Sequence, residues 1–575
     1  VIAFLKRLFR LLRLCASGRE GRIGLAYLAA VLALGFVGIW VQVRLIAWSA
    51  AFYNAVQQVN GPEMARQVGV FLLLVGASAS LYLAGRYIQK LLEITWRKRL
   101  TEIALDRWLT GRAYWRLRAG NGSGVEIDNP DQRVADDCRL FVEKATQEGV
   151  DFIHAVASLV SYLAVLWGLS TFPLAFEIAG LAVEIPRYMV WAAFLYVALA
   201  SALTHWLGAP LKMLNFQQQK READFRFALA HLREQAEAVA LHGGEQAERR
   251  GLDRRFAAVA SNWRALMRRD LILGCFTRPY MQTVLRVPLF LALPGFIAGK
   301  ITFGGLMQVA SAFSSVVTTL SWFVFSYRDL AELAATASRL DHFLDATDPA
   351  NAPPSGVAVR PSATGALAVR GLRLNDPHGA PIAAIPDFTL AAGGCLWIRG
   401  RSGLGKSTLL KAVAGLWPHG EGVIERPGGA VAVLPQRPYA PLGGRREAAL
   451  YPHGDGSDDE ARAARVLAGL GSGSRPAAGG DAASTAQLGL SGGEMQRLAL
   501  RRLKESRPDW AFLDEPTSAL DEAAEREELS ALRAALPDAT FVIVAHRRPE
   551  GLGEVAELRL DPAADDDMRG RRRLG

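Results

Sequence analysis

The chain has 575 residues, half of them apolar, and a formal net charge of +10. That length is too great for one ordinary domain and starts the count at two to four. The charge would admit a nucleic-acid binder, but Lys and Arg cluster between long apolar runs instead of covering one soluble module, so no nucleic-acid partner is expected. The cysteines Cys15, Cys138, Cys275 and Cys395 stand far apart without a CxxC pair, which argues for reduced thiols over a disulfide framework or a zinc site.

Phe4–Leu14 carries Lys6, Arg7, Arg10 and Arg13 among Leu and Phe. This basic amphipathic pattern predicts a helix lying on the membrane surface against lipid. A cleaved targeting sequence is the alternative, and no small-residue cleavage site follows an apolar core here. Crossing ~30 Å of hydrocarbon takes roughly 20 apolar residues in a helix. Leu25–Val43 and Val68–Ala84 are uncharged, Phe152–Leu169 contains only His154, and Tyr188–Leu207 only His205. Tyr280–Gly299 includes Arg286, Pro288 and Pro294, which predicts a kinked span, and Ile301–Tyr327 is uncharged and the longest run. Six spans are expected; buried core helices would explain one such run, not this many.

Basic residues mark the cytoplasmic loops. They gather at Lys6, Arg7, Arg10, Arg13, Arg19 and Arg22, at Arg86, Lys90, Arg97, Lys98 and Arg99, and between Lys212 and Arg278. The alternate connections, Asn54–Met64, Thr171–Pro186 and the turn at Lys300, are poor in them. Both termini are therefore expected in the cytoplasm, and topology accounts for the net charge. The excursions Gly85–Gly149 and Gly208–Thr277 are far longer than helix connections need to be. They read as helices continuing beyond the bilayer, with Asn129–Arg133 and His231–Glu248 among their polar segments. Such segments are either plain solvated surface or coupling helices touching a soluble domain, and the second is the expectation.

A Pro-, Ala- and Ser-rich linker, residues 346–364, precedes a soluble domain. The apolar strand Cys395–Ile398 leads into Gly400-Arg401-Ser402-Gly403-Leu404-Gly405-Lys406-Ser407-Thr408, a GxxxxGK[ST] loop in strand–loop–helix context. Its glycines let backbone N–H groups wrap phosphates, Lys406 reaches the β/γ oxygens, Ser407 supplies a Mg²⁺ ligand, and the following helix turns its positive end to the anion. A second apolar strand, Trp510–Leu513, ends in Asp514 and Glu515, placed to hold Mg²⁺ and to polarise the attacking water.

Leu490-Ser491-Gly492-Gly493-Glu494, followed by Gln496 and Arg497, resembles the signature of ABC ATPases, which other P-loop NTPases lack. At a helix start, Ser491 and the amides of Gly492 and Gly493 can bind a γ-phosphate, and the resemblance assigns that phosphate to the opposite subunit. It also makes Gln436 the Q-loop glutamine and a Mg²⁺ ligand. His546, after the strand Phe541–Ala545, becomes the switch histidine, and Ser518–Asp521 becomes the D-loop joining two sites. ATP and Mg²⁺ are the implied cofactors, Glu515 and His546 the catalytic pair, and a homodimer of half-transporters the implied assembly.

The membrane half narrows the branch. Trp48-Ser-Ala-Ala-Phe-Tyr53-Asn54, Asn129-Pro-Asp-Gln-Arg133 and Asn215–Arg226, with Ala414-Gly-Leu-Trp-Pro418 and Pro435–Tyr439, resemble the SbmA/BacA-like transporters that carry their own ATPase, the YddA-like group. The peroxisomal fatty-acyl transporters, subfamily D, share these features. Two departures stand out. Arg373–Ile385, where many ABC domains place an adenine-stacking aromatic, has His378 as its only ring, and Ala482–Gly489 lacks the TExVGExG of multidrug-type exporters. Leu404 also replaces a commoner small or polar residue.

The expected architecture is thus an α-helical six-span exporter-type transmembrane domain over residues 1–345, with an N-terminal amphipathic helix and cytoplasmic coupling helices. An α/β P-loop ABC nucleotide-binding domain over residues 365–575 follows the linker. The expected function is ATP-driven import of large hydrophilic solutes such as peptides or cobalamin through a bacterial inner membrane. The alternative is export or flipping of lipid or fatty acyl-CoA. Asp151, His154, Glu184, Arg187, His205 and Arg286 in or near the spans lean towards a polar cavity, because ionisable groups at such depth are costly and tend to face one. Interface placement, where charge is cheap, would account for Asp151, Glu184 and Arg187 equally well. A soluble regulatory ABC ATPase would lack the apolar spans.

Overall fold

The computed structural model describes residues 2–117, 127, 129–178, 181–284, 286–348, 356–453, 458–470 and 490–560. The chain divides into two units: residues 1–107 with 129–345, and residues 108–128 with 346–575.

The first unit is helical. α1 (Ile2–Cys15) buries Leu11 and Cys15, and presents Ile2 and Phe9 outward. Its arginines reach across to α12 (Tyr327–Thr347). Arg10 pairs with Asp341 at 3.0 Å and Asp345 at 2.6 Å, and Arg7 donates to Ser338 Oγ at 2.8 Å. α2 (Gly18–Gln57) and α3 (Gly61–Leu109) follow. A Cβ at Gly35 of α2 would lie 2.0 Å from His154 Nε2, so only glycine lets α6 (Cys138–Leu169) approach here.

Between α3 and α6 come a 3₁₀ turn (Thr110–Arg112), α4 (Ala113–Arg116), the short α5 (Pro130–Gln132) and a wide π turn, Arg133–Asp137. Asp137 is 2% exposed and doubly paired. Arg133 donates to it at 2.9 Å, and Arg339 of α12 clasps both oxygens at 2.9 and 2.7 Å. The Asn129–Arg133 motif is therefore a helix start, tied to α12 within the membrane unit through Asp137.

Thr171–Pro186, read from sequence as a plain loop, holds an antiparallel hairpin of β1 (Leu174–Ile178) and β2 (Leu181–Ile185). The remaining helices are α7 (Tyr188–Glu234), α8 (Ala236–His242), α9 (Glu245–Thr283), α10 (Val287–Ile297) and α11 (Phe303–Phe325). Six helical stretches are long and apolar enough to cross a membrane among the described residues, matching the expected count. Phe313, Val316 and Val317 of α11 centre the core, against Met189 and Ala193 of α7 and Leu166 of α6.

The fifth span is broken as its prolines predict. Pro288 has no N–H for the Val284 carbonyl. Ser314 Oγ of α11 donates to that carbonyl instead, at 3.0 Å, and the Tyr188 hydroxyl of α7 donates to Leu291 O. The Ser314 hydroxyl thus covers the backbone acceptor that Pro288 leaves open, and Tyr188 adds a second tie from α7 to α10. Beyond the spans, α7 and α9 run on as an antiparallel pair. Its buried pin is Asn262, which donates to Gln218 Oε1 at 2.8 Å and Leu214 O at 2.9 Å.

The second unit is α/β. One sheet, in the order β3 (Val357–Pro361), β8 (Gly420–Arg426), β4 (Leu367–Asn375), β5 (Pro381–Ala384), carries β6 (Phe388–Leu390) on β4. Because β3 pairs in parallel with β8, residues 357–361 of the stretch read as linker are part of this sheet. The other sheet is all parallel: β12 (Ala556–Leu560), β7 (Cys395–Gly400), β11 (Thr540–Val544), β10 (Trp510–Asp514), β9 (Val431–Leu434). Its strands are apolar on both faces, as a covered parallel sheet requires. Leu396, Ile398, Phe512 and Val544 face α13 (Lys406–Val413). Trp397, Leu513 and Ile543 face α16 (Gly492–Ser506) and α17 (Glu522–Ala535). α14 (Arg445–Leu450) and α15 (Asp459–Leu467) form a small cluster with Met495 and Leu498 of α16.

Candidate nucleotide site

Parallel strands deliver their C-terminal ends to one edge, and the candidate residues emerge there. β7 ends at Gly400 and α13 starts at Lys406, so the loop between them includes Ser402, Gly403 and Gly405. Gly405 has φ +77°, and a Cβ there would meet Ala383 of β5 at 2.9 Å, so both backbone and space demand glycine. Lys406 is 7% exposed and folds its ammonium back over the loop, donating to Gly400 O at 2.7 Å and Arg401 O at 2.9 Å. Ser407 Oγ donates to Asp514 Oδ1 at 3.1 Å, which joins α13 to the end of β10; Thr408 follows on the same helix. Burial pushes the Asp514 carboxyl above its ordinary range, and the Ser407 bond partly opposes that.

The next residue, Glu515, turns the chain with φ +47°. Its two oxygens are held separately. Gln436, just past β9, donates to Oε2 at 2.8 Å, and His546 Nε2, two residues past β11, lies 3.1 Å from Oε1. Gly400–Thr408, Gln436, Asp514, Glu515 and His546, far apart in the chain, therefore share one edge.

The signature residues form a separate surface. Ser491 caps α16 with a reciprocal box. Its N–H and hydroxyl donate to Glu494 Oε2 at 2.7 and 2.8 Å, and Glu494 N–H donates back to Ser491 Oγ at 3.3 Å. Ser491 and Gly492 are exposed, Gly493 half-buried, and none of the three is hydrogen-bonded to the phosphate-loop side chains among the described residues. Asp521 caps α17 by accepting from Ala524 N at 2.8 Å. The stretch Arg373–Ile385 forms the β4–β5 hairpin, in which the His378 N–H donates to Asp376 Oδ1. Ala482–Gly489 lies outside the described residues.

Residues 108–117, although continuous with α3, belong to the soluble unit. Trp115 Nε1 donates to Leu416 O at 2.9 Å, and Arg112 to Ala414 O at 3.3 Å. Lys411 Nζ lies 5.9 Å from the rings of both Trp115 and Trp417, within cation–π reach. The Ala414–Pro418 motif is thus the receptor for this segment. Sequence reading missed Trp115 and Lys411, which meet across some three hundred residues of chain; the clustering of tryptophan and basic residues around 107–116 was the visible signal.

Against known families, residues 11–297 match ABC transporter transmembrane region 2, and residues 385–518 match the ABC transporter ATPase family. The inner membrane ABC transporter ATP-binding protein YddA of Escherichia coli (strain K12) is 33% identical over 535 residues, 92% of each chain. The chain belongs to the ABC transporter family. This ABC half-transporter joins one membrane region to one ATPase domain, and it hydrolyses ATP. It is also similar to the human lysosomal cobalamin transporter ABCD4, 28% identical over 590 residues, covering 95% of this chain and 93% of that one. The chloroplastic ABC transporter D family member 2 of Arabidopsis thaliana is 29% identical over 600 residues, 91% of this chain and 81% of that one.

Proposed function

We propose that two copies of this half-transporter form a homodimer in a bacterial inner membrane and use ATP to import large hydrophilic solutes, peptides or cobalamin. The observation that carries the catalytic part is the Glu515 carboxylate gripped by Gln436 and His546, one residue beyond an Asp514 bonded to Ser407. In this reading Lys406 and the amides of Gly400–Thr408 hold the β/γ-phosphates. Ser407, Asp514 and Gln436 offer hard oxygen donors from three elements, a set that suits Mg²⁺, which keeps several waters and takes few protein ligands. The ion supplies charge neutralisation on the phosphates. Glu515 orients and polarises the attacking water, and His546 steadies the Glu515 carboxylate and faces the γ-phosphate.

Ser491, Gly492 and Gly493, exposed at the N-terminus of the 15-residue α16, suit the phosphate of the second copy. Asp521 and its loop then connect the two sites. The homodimer is also supported by the α7–α9 pair, whose Phe216, Phe227, Phe256 and Trp263 are each more than half exposed, more apolar surface than a cytoplasmic monomer keeps open. Residues 108–117 act as a coupling element, because they leave α3 and seat on the helix that follows the phosphate loop.

Hydrophilic cargo is supported by polar groups buried in the membrane unit, among them Gln67, Gln89 and Glu148, and by the cobalamin transporter among the relatives. The inner-membrane location and the cytoplasmic termini are supported by loop charge and, for the location, by the bacterial relative's printed name.

The test is uptake by sealed vesicles of defined orientation, loaded with the purified protein and given labelled peptide or cobalamin with and without ATP. ATP-dependent accumulation is expected. Movement of acyl lipid without accumulation of either solute would replace this reading with lipid export. Glu515→Gln should bind ATP normally and lose turnover by at least about 100-fold, the usual weight of a positioned base. Undiminished hydrolysis would remove Glu515 from that role.

A further inference from the structure

α16 begins at the signature, and its fifth residue, Gln496, is only 4% exposed. Its Oε1 accepts from the backbone N–H of Ala519 at 2.8 Å. Its Nε2 donates to Ser518 Oγ at 2.9 Å and to the Glu515 carbonyl at 3.4 Å. The amide orientation is dictated, because the Ala519 N–H can only donate. All three partners lie in the short loop from Glu515 to Ala519. That loop starts from a left-handed Glu515, a conformation that persists only where the surroundings impose it. Gln436 and His546 hold the carboxylate end of Glu515, whereas Gln496 holds its backbone end.

A buried amide must satisfy its polar atoms somewhere, so architecture alone could explain its bonding. The packing of α16 is already provided by Leu500 and Leu503, in one cluster with Leu529 and Leu532 of α17. Gln496 adds nothing to that apolar contact; it spends both ends of its amide on one strained loop.

We propose that Gln496 is a positioning residue: it ties the backbone of Glu515 and of Ser518–Ala519 to the signature helix. Engagement of Ser491, Gly492 and Gly493 and the placement of Glu515 then become one mechanical event within a subunit. This rests on the reading of Glu515 as the group that polarises water. An ångström of misplacement at such a group costs on the order of 100-fold in rate.

The experiment uses the full chain in lipid nanodiscs, with Gln496→Ala, Gln496→Glu and Glu515→Gln. Steady-state ATP hydrolysis, binding of a fluorescent ATP analogue and hydrogen–deuterium exchange are measured on each. Gln496→Ala should lower kcat by about ten- to a hundred-fold with KM and analogue binding unchanged. Exchange should quicken in residues 515–520 and stay unaltered in 498–503. Gln496→Glu keeps the acceptor for Ala519 and should fall between wild type and alanine. An unchanged kcat in Gln496→Ala, with Glu515→Gln inactive, overturns the proposal. So does a loss of kcat that comes with loss of analogue binding or of protection in 498–503, since that is a failure of the helix itself. Sustained turnover in Glu515→Gln would instead bring down the reading beneath it.

Discussion

Replacing Asp137 with alanine tests how α6 and α12 are held together. The carboxylate is 2% exposed and receives three charge-assisted bonds, one from Arg133 and two from Arg339. Removing one partner of a buried ion pair costs about 3–5 kcal/mol, because the remaining charge loses its compensation. The Arg339 side chain is 41% exposed and can rehydrate, whereas the Arg133 side chain is 13% exposed and cannot readily do so. The estimate therefore falls to about 3 kcal/mol after discounting for screening on the Arg339 side. With an unfolding entropy of about 2.1 cal/mol/K per residue over residues 1–107 and 129–345, the apparent Tm should drop by about 4–5 °C. The assay is thermal aggregation of detergent-purified protein followed by size-exclusion chromatography, with KM for ATP as a control that should not move. A Tm within 2 °C of wild type, roughly the effect of an exposed pair, would refute the claim that Asp137 pins the two helices.

Three further outcomes follow from the geometry. Trp115→Ala removes the bond to Leu416 and one face of the Lys411 contact. It should leave ATP hydrolysis largely intact while abolishing solute-dependent stimulation, measured with and without candidate solutes in nanodiscs; preserved stimulation would remove Trp115 from coupling. Ser314→Ala strands the Val284 carbonyl, at about 1–3 kcal/mol for an unpaired buried acceptor. The lower Tm should be partly restored by Pro288→Ala, which supplies an N–H, and a double variant no better than the single one would count against that pairing. Asp514 gives the pH prediction. Burial raises its pKa, so on acidification it takes up its proton earlier than an exposed aspartate, and the ionised form that the proposed Mg²⁺ site would use is lost first there. The folded state thus favours protonated Asp514. Its contribution to stability is largest at low pH and declines as pH rises through the folded pKa. Lys411 stabilises the carboxylate, so Lys411→Gln should move the acid limb of kcat/KM to higher pH, and an unmoved limb would exclude that interaction.

The spans and the nucleotide motifs were legible because each is written locally. An uncharged run of spanning length has few alternatives, and Gly400–Ser407 carries its strand and helix beside it. Pro288 likewise announced the interruption between α9 and α10, whereas Pro294 sits inside α10. What escaped was written across distance. β3 lies in a Pro-, Ala- and Ser-rich stretch and becomes a strand only by pairing with β8, about sixty residues on, the tertiary override to which strand propensity is prone. The β1–β2 hairpin is hidden because the low charge of its connection says nothing of the cross-strand register that makes it a sheet. The ties of Asp137 to Arg339 and of Trp115 to Leu416 join residues more than 200 positions apart, so no local pattern marks them. Gln496 stands beside the signature in sequence, yet its partners sit 19–23 residues away in a loop whose shape no local pattern reveals.

The stitched break in the fifth span has a mechanical consequence. A free hinge bends at the cost of its own backbone alone, but this one is fastened to α7 through Tyr188 and to α11 through Ser314. A change of angle between α9 and α10 must either carry both neighbours with it or break these bonds, leaving the Val284 carbonyl without the donor that Pro288 denies it. The second route is expensive, so α7, α9, α10 and α11 turn as one joint, stiffened by hydroxyls that include Tyr188, Ser314, Tyr196 and Tyr280.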